Sequence, residues 1–355
     1  MLEKLMDSCK KVVLGGLCLT GICFGKPIDG VCLSPFRAGQ SPETGTFPTS
    51  AQVQEDLDIY QPIAEACRTY GNDNVLFNIP SYCNDRGIEC VVGSWISDNA
   101  VWNQGVVDRL IQVSDANYST TDSLLVGNEY LLWRPFSSEN TIIPLINQVK
   151  AQTNLPVSTG ETYNIWLDHP NLVNACDYIG AHIHPYWEGI HIDNAAQHVI
   201  DKYNLLKIRY PGKEIQILEV GWPSAGPAYG SAVPSPANQK KFLEDFIPLA
   251  DAHDIKYFLF EGFDEPWKVK YGEVEKHWGM FEDNRQVKSN LSDILYAIPG
   301  DVDKDGDVDI DDLYLMSGDW LETTTSPEYL KLSDVNKDGI TNFQDFAYVG
   351  KNWGR

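Results

Sequence analysis

Two glutamates stand at the ends of apolar runs that are typical of buried strands. Glu129 follows the run LLVGN, and Glu219 lies in ILEVGWPS. Burying one carboxylate is costly, and a single residue of this kind could serve as a salt-bridge partner or a helix cap. Two in matching contexts indicate paired chemistry, in which one carboxyl protonates a leaving oxygen while the other stays ionised. Such a pair suits glycoside hydrolysis.

The elements that would position these glutamates alternate between strands and helices from Gly30 to Pro266. This pattern favours a closed parallel (β/α)8 barrel, or TIM barrel, in which catalytic groups lie at the C-terminal ends of strands. Glu129 closes the fourth predicted strand and Glu219 the seventh. An open doubly wound sheet is the alternative, but no glycine-rich loop follows the first strand. The predicted strands cover 31–35, 67–70, 89–96, 123–129, 156–161, 178–186, 215–222 and 256–264.

Further polar and aromatic residues follow the same predicted strands and could contact a sugar. Aromatic rings offer flat apolar surfaces on which pyranose rings stack, although some of these rings could instead belong to the core. A lone histidine is also more often a core residue than a catalyst, but HPYW after the sixth strand is typical of a sugar-contacting rim. The candidates are Arg68, Tyr70, Trp95, Asn128, Trp133, His184, Tyr186, Trp187, Trp222, Glu265, Trp267 and Lys268.

The charge balance narrows the range of partners. The 355 residues include 27 Lys and Arg against 50 Asp and Glu, a formal net charge of −23. Such an acidic chain is poorly suited to bind nucleic acid or an anionic membrane surface. A neutral ligand or a cation is the better expectation.

The N-terminal residues predict an export signal over 1–25. Lys10 and Lys11 precede an apolar run, 12–25, that ends in small residues and is too short to span a bilayer comfortably. We therefore expect a secreted or cell-surface protein, cleaved near Gly25, with no transmembrane span in the mature chain. Cys18 and Cys23 follow bulky residues, which disfavours a lipoprotein anchor.

Five cysteines lie after this signal, so they cannot all be paired. Cys32 and Cys90 fall in apolar strand-like runs and are expected to be small buried hydrophobes. A disulfide between Cys83 and Cys90, the nearest pair in sequence, stays open as a minor possibility. The five are Cys32, Cys67, Cys83, Cys90 and Cys176.

Two copies of an acidic loop near the C-terminus predict calcium binding. DVDKDGDVDIDD, from Asp301, recurs as DVNKDGITNFQD, from Asp334, and each copy precedes a short helix. The oxygen ligands at positions 1, 3, 5, 7 and 12 and the glycine at position 6 have EF-hand spacing, although aspartate replaces the usual glutamate at position 12. A generic acidic tail is the alternative. The predicted ligands are Asp301, Asp303, Asp305, Asp307, Asp312, Asp334, Asn336, Asp338, Ile340 and Asp345.

Between Gly30 and Phe281 the chain resembles glycoside hydrolase family 17, the endo-1,3-β-glucanases of the microbial branch. The motifs occur in the order GVCLSPFRAGQSP, RTYG, VVGSWI, LLVGNEYLLWR, HIHPYWEG, ILEVGWPSAG, FEGFDEPWK and HWGMF. The resemblance implies that Glu129 is the acid/base and Glu219 the nucleophile of a retaining reaction. It also implies that Asn128 contacts the substrate 2-hydroxyl and that Glu265 and Lys268 form a supporting ion pair.

The duplicated loops resemble a dockerin, which implies a small all-α, calcium-folded domain over 299–355 after a barrel over 26–298. The resemblance also implies a cohesin-type scaffold as partner. Positions 10 and 11 of the loops are Ile310 and Asp311, then Phe343 and Gln344, and not the Ser-Thr pairs of familiar dockerins. The identity of a cohesin is therefore not predicted.

Taken together, the residues and the resemblance predict a secreted enzyme that cleaves β-1,3-glucan internally, needs no cofactor for catalysis and carries a calcium module. A glucanosyltransferase, in which a sugar hydroxyl replaces water, is one alternative. A glucan-binding scaffold without activity is another, although such a protein would need neither Glu129 nor Glu219.

Overall fold

The computed structural model describes residues 28–133, 138–296, 300–303, 308–323, 333–335 and 339–353. Eight parallel strands close into a barrel in chain order, and β1 pairs with β8. The TIM-barrel prediction is confirmed. The strands are β1 (Ile28–Leu33), β2 (Ala64–Thr69), β3 (Glu89–Ser94), β4 (Thr121–Asn128), β5 (Val157–Thr162), β6 (Ile179–His182), β7 (Ile215–Val220) and β8 (Tyr257–Leu259).

The strands are short and apolar because both faces of the barrel are buried. All six residues of β7 are buried, for example, as expected for a parallel sheet that is filled inside and covered outside. A larger apolar layer separates the strands from the surrounding helices. The interior filling consists of Cys32, Ala66, Val91, Leu125, Tyr178, Leu218 and Phe258.

The helices of the barrel begin at polar caps. The Thr49 side chain and Gln52 form a capping box at the start of α1, and Asn99, Ser138 and Ser235 accept hydrogen bonds from the first turns of later helices. The helices are α1 (Ser50–Tyr60), α2 (Ile79–Asn84), α3 (Ala100–Asp115), α4 (Glu139–Lys150), α5 (Tyr163–Asp168), α6 (Pro170–Ala175), α7 (Ile192–Arg209), α8 (Pro236–Ala252) and α9 (Ser292–Leu295). Short 3₁₀ helices cover Asn74–Asn78, Pro185–Glu188, Pro266–Tyr271 and Glu273–Lys276.

The sixth and eighth predicted strands run furthest past the observed strand ends, both at the mouth of the barrel. β6 ends at His182, and Tyr186 lies in a 3₁₀ helix. β8 ends at Leu259, after which the backbone pairs with a later loop: the Glu261 N–H donates to the Trp278 carbonyl at 3.2 Å. The apolar pattern continues past both ends because these loops are themselves packed inward, so hydrophobicity alone could not mark where the strands stop.

The C-terminal module is small and helical, as predicted. It contains α10 (Ile310–Gly318) and α11 (Phe343–Asn352) around a core of Val302, Val308, Met316 and Val349. Each helix begins with a capping box, formed by Asp309 with Asp312 and by Asn342 with Asp345. The duplicated loops thus start their helices in the same way.

The expected export signal, 1–25, lies outside the described residues. Within the described part of the chain, no helix has both the length and the apolar character needed to cross a bilayer.

Candidate active site

Glu129 and Glu219 converge at one end of the barrel. Glu219 lies on β7, and Glu129 directly follows β4. Glu129 has a left-handed backbone, with φ of 48°, and its N–H donates to the Gly160 carbonyl at 2.7 Å. A carboxylate oxygen of each glutamate and a ring nitrogen of His182 lie within 4.8 Å of one another. Carboxyl groups this near to each other suit a retaining glycosidase, in which the two groups lie about 5–5.5 Å apart.

Glu219 is buried among groups that favour its ionised form. It is 4% exposed, and its carboxylate lies 2.6 Å from Arg68 Nη1, 3.2 Å from His184 Nε2 and 3.5 Å from His182 Nδ1. Although burial raises the pKa of Glu219, His182, Arg68 and His184 outweigh it and hold that pKa well below its usual range. The anion is therefore ready to attack an electrophilic carbon.

Glu129 has different surroundings. Its Oε1 lies 2.8 Å from His182 Nδ1, and its Oε2 accepts a hydrogen bond of 2.5 Å from the Trp133 indole N–H. Trp133 is 71% exposed, so this carboxyl faces the open side of the site. Within the described residues the two glutamates share His182, and Glu219 also contacts the guanidinium of Arg68.

Arg68 links Glu219 on β7 to Asn128, the residue before Glu129. Its guanidinium donates to Glu219 and to the Asn128 side-chain oxygen, and it stacks 4.5 Å from the centre of the Tyr70 ring. Glycine at 160 leaves the space that this arrangement needs, because a Cβ there would lie 2.6 Å from His182 Nε2 and 3.0 Å from Arg68 Nη2. A larger side chain on β5 would displace the network.

A second charged group lies after β8. Lys268 Nζ is 2.6 Å from both Glu261 and Glu265, so the ion pair expected between Glu265 and Lys268 is present and includes a third member. Burial raises the pKa of Glu261 well above its usual range, with Lys268 opposing and Glu265 reinforcing the shift. The single ammonium group of Lys268 is therefore shared by two buried carboxyl groups.

The candidate sugar-contacting aromatics divide into rim and core. Trp95 is 45% and Trp187 41% exposed. Trp222 was expected to face the substrate but is 1% exposed and stacks on Phe242 beneath the helical layer, so that expectation is corrected. Its apolar surface is larger than its polar edge, which favours packing against α8.

Tyr186 also has little free surface. It is 1% exposed, and its hydroxyl donates to the Pro227 carbonyl at 2.8 Å. Its ring packs edge-on against Trp187 and Trp222. Tyr186 therefore holds the wall behind the rim, in place of the direct sugar contact that was expected from the motif.

His182 and Ser34 were missed as site residues. His182 contacts both glutamates, and Ser34 donates to Glu265. A signal for His182 was available, because residues two apart on a strand face the same side and His184 had already been singled out. Ser34 carries no such signal, since its contact with Glu265 spans 231 positions.

The predicted calcium ligands are only partly described. Asp301, Asp303 and Asp312 place carboxylate oxygens within 4.8 Å of one another, which suits a hard cation with oxygen ligands. In the second loop Asp334 and Asp345 accept backbone N–H groups of Gly339 and Asn342, each at 2.8 Å, and Ile340 pairs with Thr323. Asp305, Asp307, Asn336 and Asp338 lie outside the described residues.

Family models match both parts of the chain. Residues 30–279 match the BtgE/BtgC glycoside hydrolase domain, and residues 299–352 match the Dockerin type I domain.

Named relatives and solved structures agree with these matches. A probable glucan endo-1,3-beta-glucosidase, btgC, of Aspergillus terreus is 28% identical over 69% of this chain, and a probable beta-glucosidase, btgE, of Aspergillus fumigatus is 31% identical over 61%. The aligned regions span 42% and 39% of those proteins.

Among solved structures, a glycoside hydrolase family 17 β-1,3-glucanosyltransferase from Rhizomucor miehei is 28% identical, with a TM-score of 0.65 over 74% of this chain and 96% of that one. An endo-laminarinase from Formosa Hel1_33_131 shares the fold, with a TM-score of 0.66 and 19% identity over 76% of this chain and 87% of that one.

Proposed function

The chain belongs to the BtgE/BtgC glycoside hydrolase family, and on this premise we propose that it is a secreted, retaining enzyme that cleaves β-1,3-glucan internally during polysaccharide breakdown. The observation that carries the proposal is the pair of glutamates at the barrel mouth. One carboxylate oxygen of each lies within 4.8 Å of the other, and the Glu219 carboxylate contacts the guanidinium of Arg68.

In the first step Glu219 attacks the anomeric carbon, and Glu129 gives its proton to the departing glycosidic oxygen. Arg68 and the two histidines keep Glu219 ionised, which the attack requires. The bond to the leaving sugar breaks as the glycosyl–enzyme ester forms. Because the leaving oxygen receives the proton of Glu129, negative charge does not accumulate on it.

In the second step Glu129 takes a proton from water, and the oxygen of that water attacks the anomeric carbon from the opposite side. The ester bond breaks and Glu219 returns as a carboxylate. Two inversions at the same carbon retain the original configuration. His182 contacts both carboxylates and can hold them in place through both steps.

We assign substrate contacts to the residues around this pair. Asn128, fixed by Arg68, is placed to donate to the sugar 2-hydroxyl through its amide nitrogen, because its oxygen already accepts from Arg68. Trp95 and Trp133, which are exposed at the rim, would stack on pyranose faces. Tyr70, His184, Glu265 and Lys268 support the wall of the site.

Incubation with laminarin tests the proposal. We expect oligosaccharides of intermediate length to appear before glucose, and the newly formed reducing ends to be β-anomers when followed by proton NMR from the first minutes. Exclusive release of glucose would contradict internal cleavage, and α-anomers would contradict double displacement.

A glucanosyltransferase is the second candidate, favoured by the similarity to the Rhizomucor miehei structure. In that case a sugar hydroxyl replaces water in the second step. Products longer than the donor, formed from laminari-oligosaccharides at high concentration, would support transfer. Glucan binding without new products would support a scaffold protein in place of an enzyme.

We propose that the chain is divided into a signal over 1–25, the barrel over 26–298 and a calcium-folded, dockerin-type module over 299–355. The module would attach the enzyme to a cohesin-type scaffold outside the cell. Asp301, Asp303 and Asp312, and Asp334 and Asp345 in the second loop, would hold calcium, which would stabilise the loops by neutralising their charge.

Binding of the full chain to a panel of type I cohesins, measured with calcium and with EGTA, tests the docking role. We expect calcium-dependent binding to at least one of them. Failure with the whole panel would contradict the assignment. N-terminal sequencing of the protein recovered from culture medium tests export, with a start near residue 26 expected.

A further inference from the structure

Three cysteine side chains meet between the barrel and its helices. Cys67 lies on β2, Cys90 on β3 and Cys83 on α2. All three are fully buried, and their sulfur atoms lie within 4.8 Å of one another. The proposed catalytic mechanism does not use this cluster. Cys67 belongs to the layer under the helices, whereas its neighbour Arg68 faces the barrel interior, as alternation along a strand requires.

The geometry distinguishes one pair among the three. Cys67 Sγ and Cys83 Sγ are 3.4 Å apart, so they would need to approach by about 1.4 Å to reach the length of an S–S bond, near 2.05 Å. Cys67 and Cys90 are register partners on neighbouring parallel strands, where the barrel holds both backbones in place. Cys83 approaches them from a separate helix, and its side chain can rotate toward either one.

From this arrangement we propose that Cys67 and Cys83 form a disulfide that ties α2 to β2, and that Cys90 is a third thiol able to compete for Cys83. The proposed pair differs from Cys83 with Cys90, which the sequence left open as a minor possibility. It is independent of the proposed catalytic activity. We expect the disulfide to form whenever this protein folds in the presence of a disulfide oxidant, such as glutathione disulfide or a disulfide-carrying oxidoreductase.

The disulfide forms by thiol–disulfide exchange with the oxidant. The Cys83 thiolate attacks one sulfur of the oxidant, and the other sulfur leaves as a thiolate. Cys67 then loses its proton to solvent and attacks the Cys83 sulfur, which releases the second thiolate. Two electrons pass from the two protein thiols to the oxidant, which becomes two thiols. Because the native cluster is buried, this exchange takes place during folding, before α2 covers the strands.

In the folded cluster, hydrogen bonds from Cys67 and Cys90 lower the pKa of Cys83 against the effect of burial, and Arg86 adds a weaker attraction. Both strand thiols therefore interact with the helix thiol, as expected if they compete for it.

Disulfide mapping tests the proposal. The full chain is refolded from denaturant in a glutathione redox buffer, alkylated in denaturant without reductant, digested and examined by mass spectrometry. We expect one cross-linked peptide pair that contains Cys67 and Cys83, with Cys32, Cys90 and Cys176 alkylated. Alkylation of all three cluster cysteines would overturn the proposal. A dominant Cys83–Cys90 link, or a soft metal ion retained by unoxidised thiols, would do the same.

Variants and thermal unfolding give a second measurement. The oxidised wild type should unfold several degrees higher than its reduced form, because the cross-link restricts the unfolded chain. Cys83→Ser should abolish this difference. Cys90→Ala, and Cys176→Ser as a matched buried control, should retain it. Loss of the difference in Cys90→Ala would contradict the assigned pair, and this variant decides the matter even if Cys83→Ser fails to fold.

Discussion

The barrel mouth and the C-terminal module both gather carboxylates, but they balance the negative charge by different means. At the mouth, Glu219 contacts Arg68, and Glu261 and Glu265 share Lys268. From 301 to 355, by contrast, the sequence has 13 acidic and five basic residues. The mouth therefore carries its own counter-charges, whereas under the proposed function the loops of the module would depend on calcium from solution.

This difference has a consequence for assembly. A site neutralised by its own side chains is complete when the barrel folds, and it can hold a nucleophile ionised before substrate arrives. A module that needs an external cation folds only where that cation is plentiful. We therefore expect changes at the mouth to affect catalysis alone, and removal of calcium to affect the module alone.

The largest effect is expected for Glu219→Gln, because an amide cannot form the glycosyl ester. Turnover of laminarin should fall by at least about 10³-fold, measured as release of reducing ends. Glu214→Gln provides a matched control, since Glu214 is exposed just before the opposite end of β7. Near-native turnover in the Glu219 variant would show that the nucleophile is assigned wrongly.

Glu129→Gln should lower laminarin turnover by about 10²–10⁴-fold, since the leaving oxygen loses its proton donor. An aryl β-laminaribioside whose leaving group is an acidic phenol needs less protonation of the leaving oxygen. With this substrate the variant should still form the glycosyl enzyme, which is visible as a burst of phenol. Glu89→Gln, at the exposed start of β3, is the control. Equal losses on both substrates would argue against an acid/base role.

Arg68→Met should reduce kcat/KM by about 10²-fold and change its pH dependence. The depressed pKa of Glu219 keeps the nucleophile ionised until the pH falls through that pKa. Without the guanidinium the pKa rises, so the acid limb of the pH profile should move to higher pH. Arg209→Met, at the exposed end of α7, controls for loss of positive charge. An unchanged acid limb would exclude Arg68 as the group that sets this ionisation.

The smallest effect on catalysis is expected from calcium removal. EGTA should change laminarin turnover by less than about twofold, because the glutamates and the acidic loops lie in parts of the chain that match separate domain families, and distant sites act nearly independently. The same treatment should reduce the far-ultraviolet circular dichroism of the module and alter the fluorescence of Trp320, and added calcium should restore both. A large loss of turnover with EGTA would show that the barrel and the module are coupled.

The sequence determined the class of the fold and the position of the candidate site. Alternation of apolar runs with helical segments was sufficient to predict eight parallel strands, because each strand is buried on both faces. It also placed Glu129 and Glu219 on strands four and seven, since a carboxylate at the end of an apolar run has few structural explanations. The duplicated loops were visible because their ligands are close together in sequence.

The tertiary structure decided which distant residues meet. Arg68 and Glu219 are 151 positions apart, Ser34 and Glu265 are 231 apart, and no local pattern relates them. Trp222 and Trp133 both lie close in sequence to one of the two candidate glutamates, yet Trp222 packs in the core and Trp133 reaches the rim. The contact between Cys67 and Cys83 also depends on tertiary packing, because it requires α2 to lie across β2. Local spacing fixes which groups a segment offers, but only closure of the barrel brings groups from different segments within bonding distance.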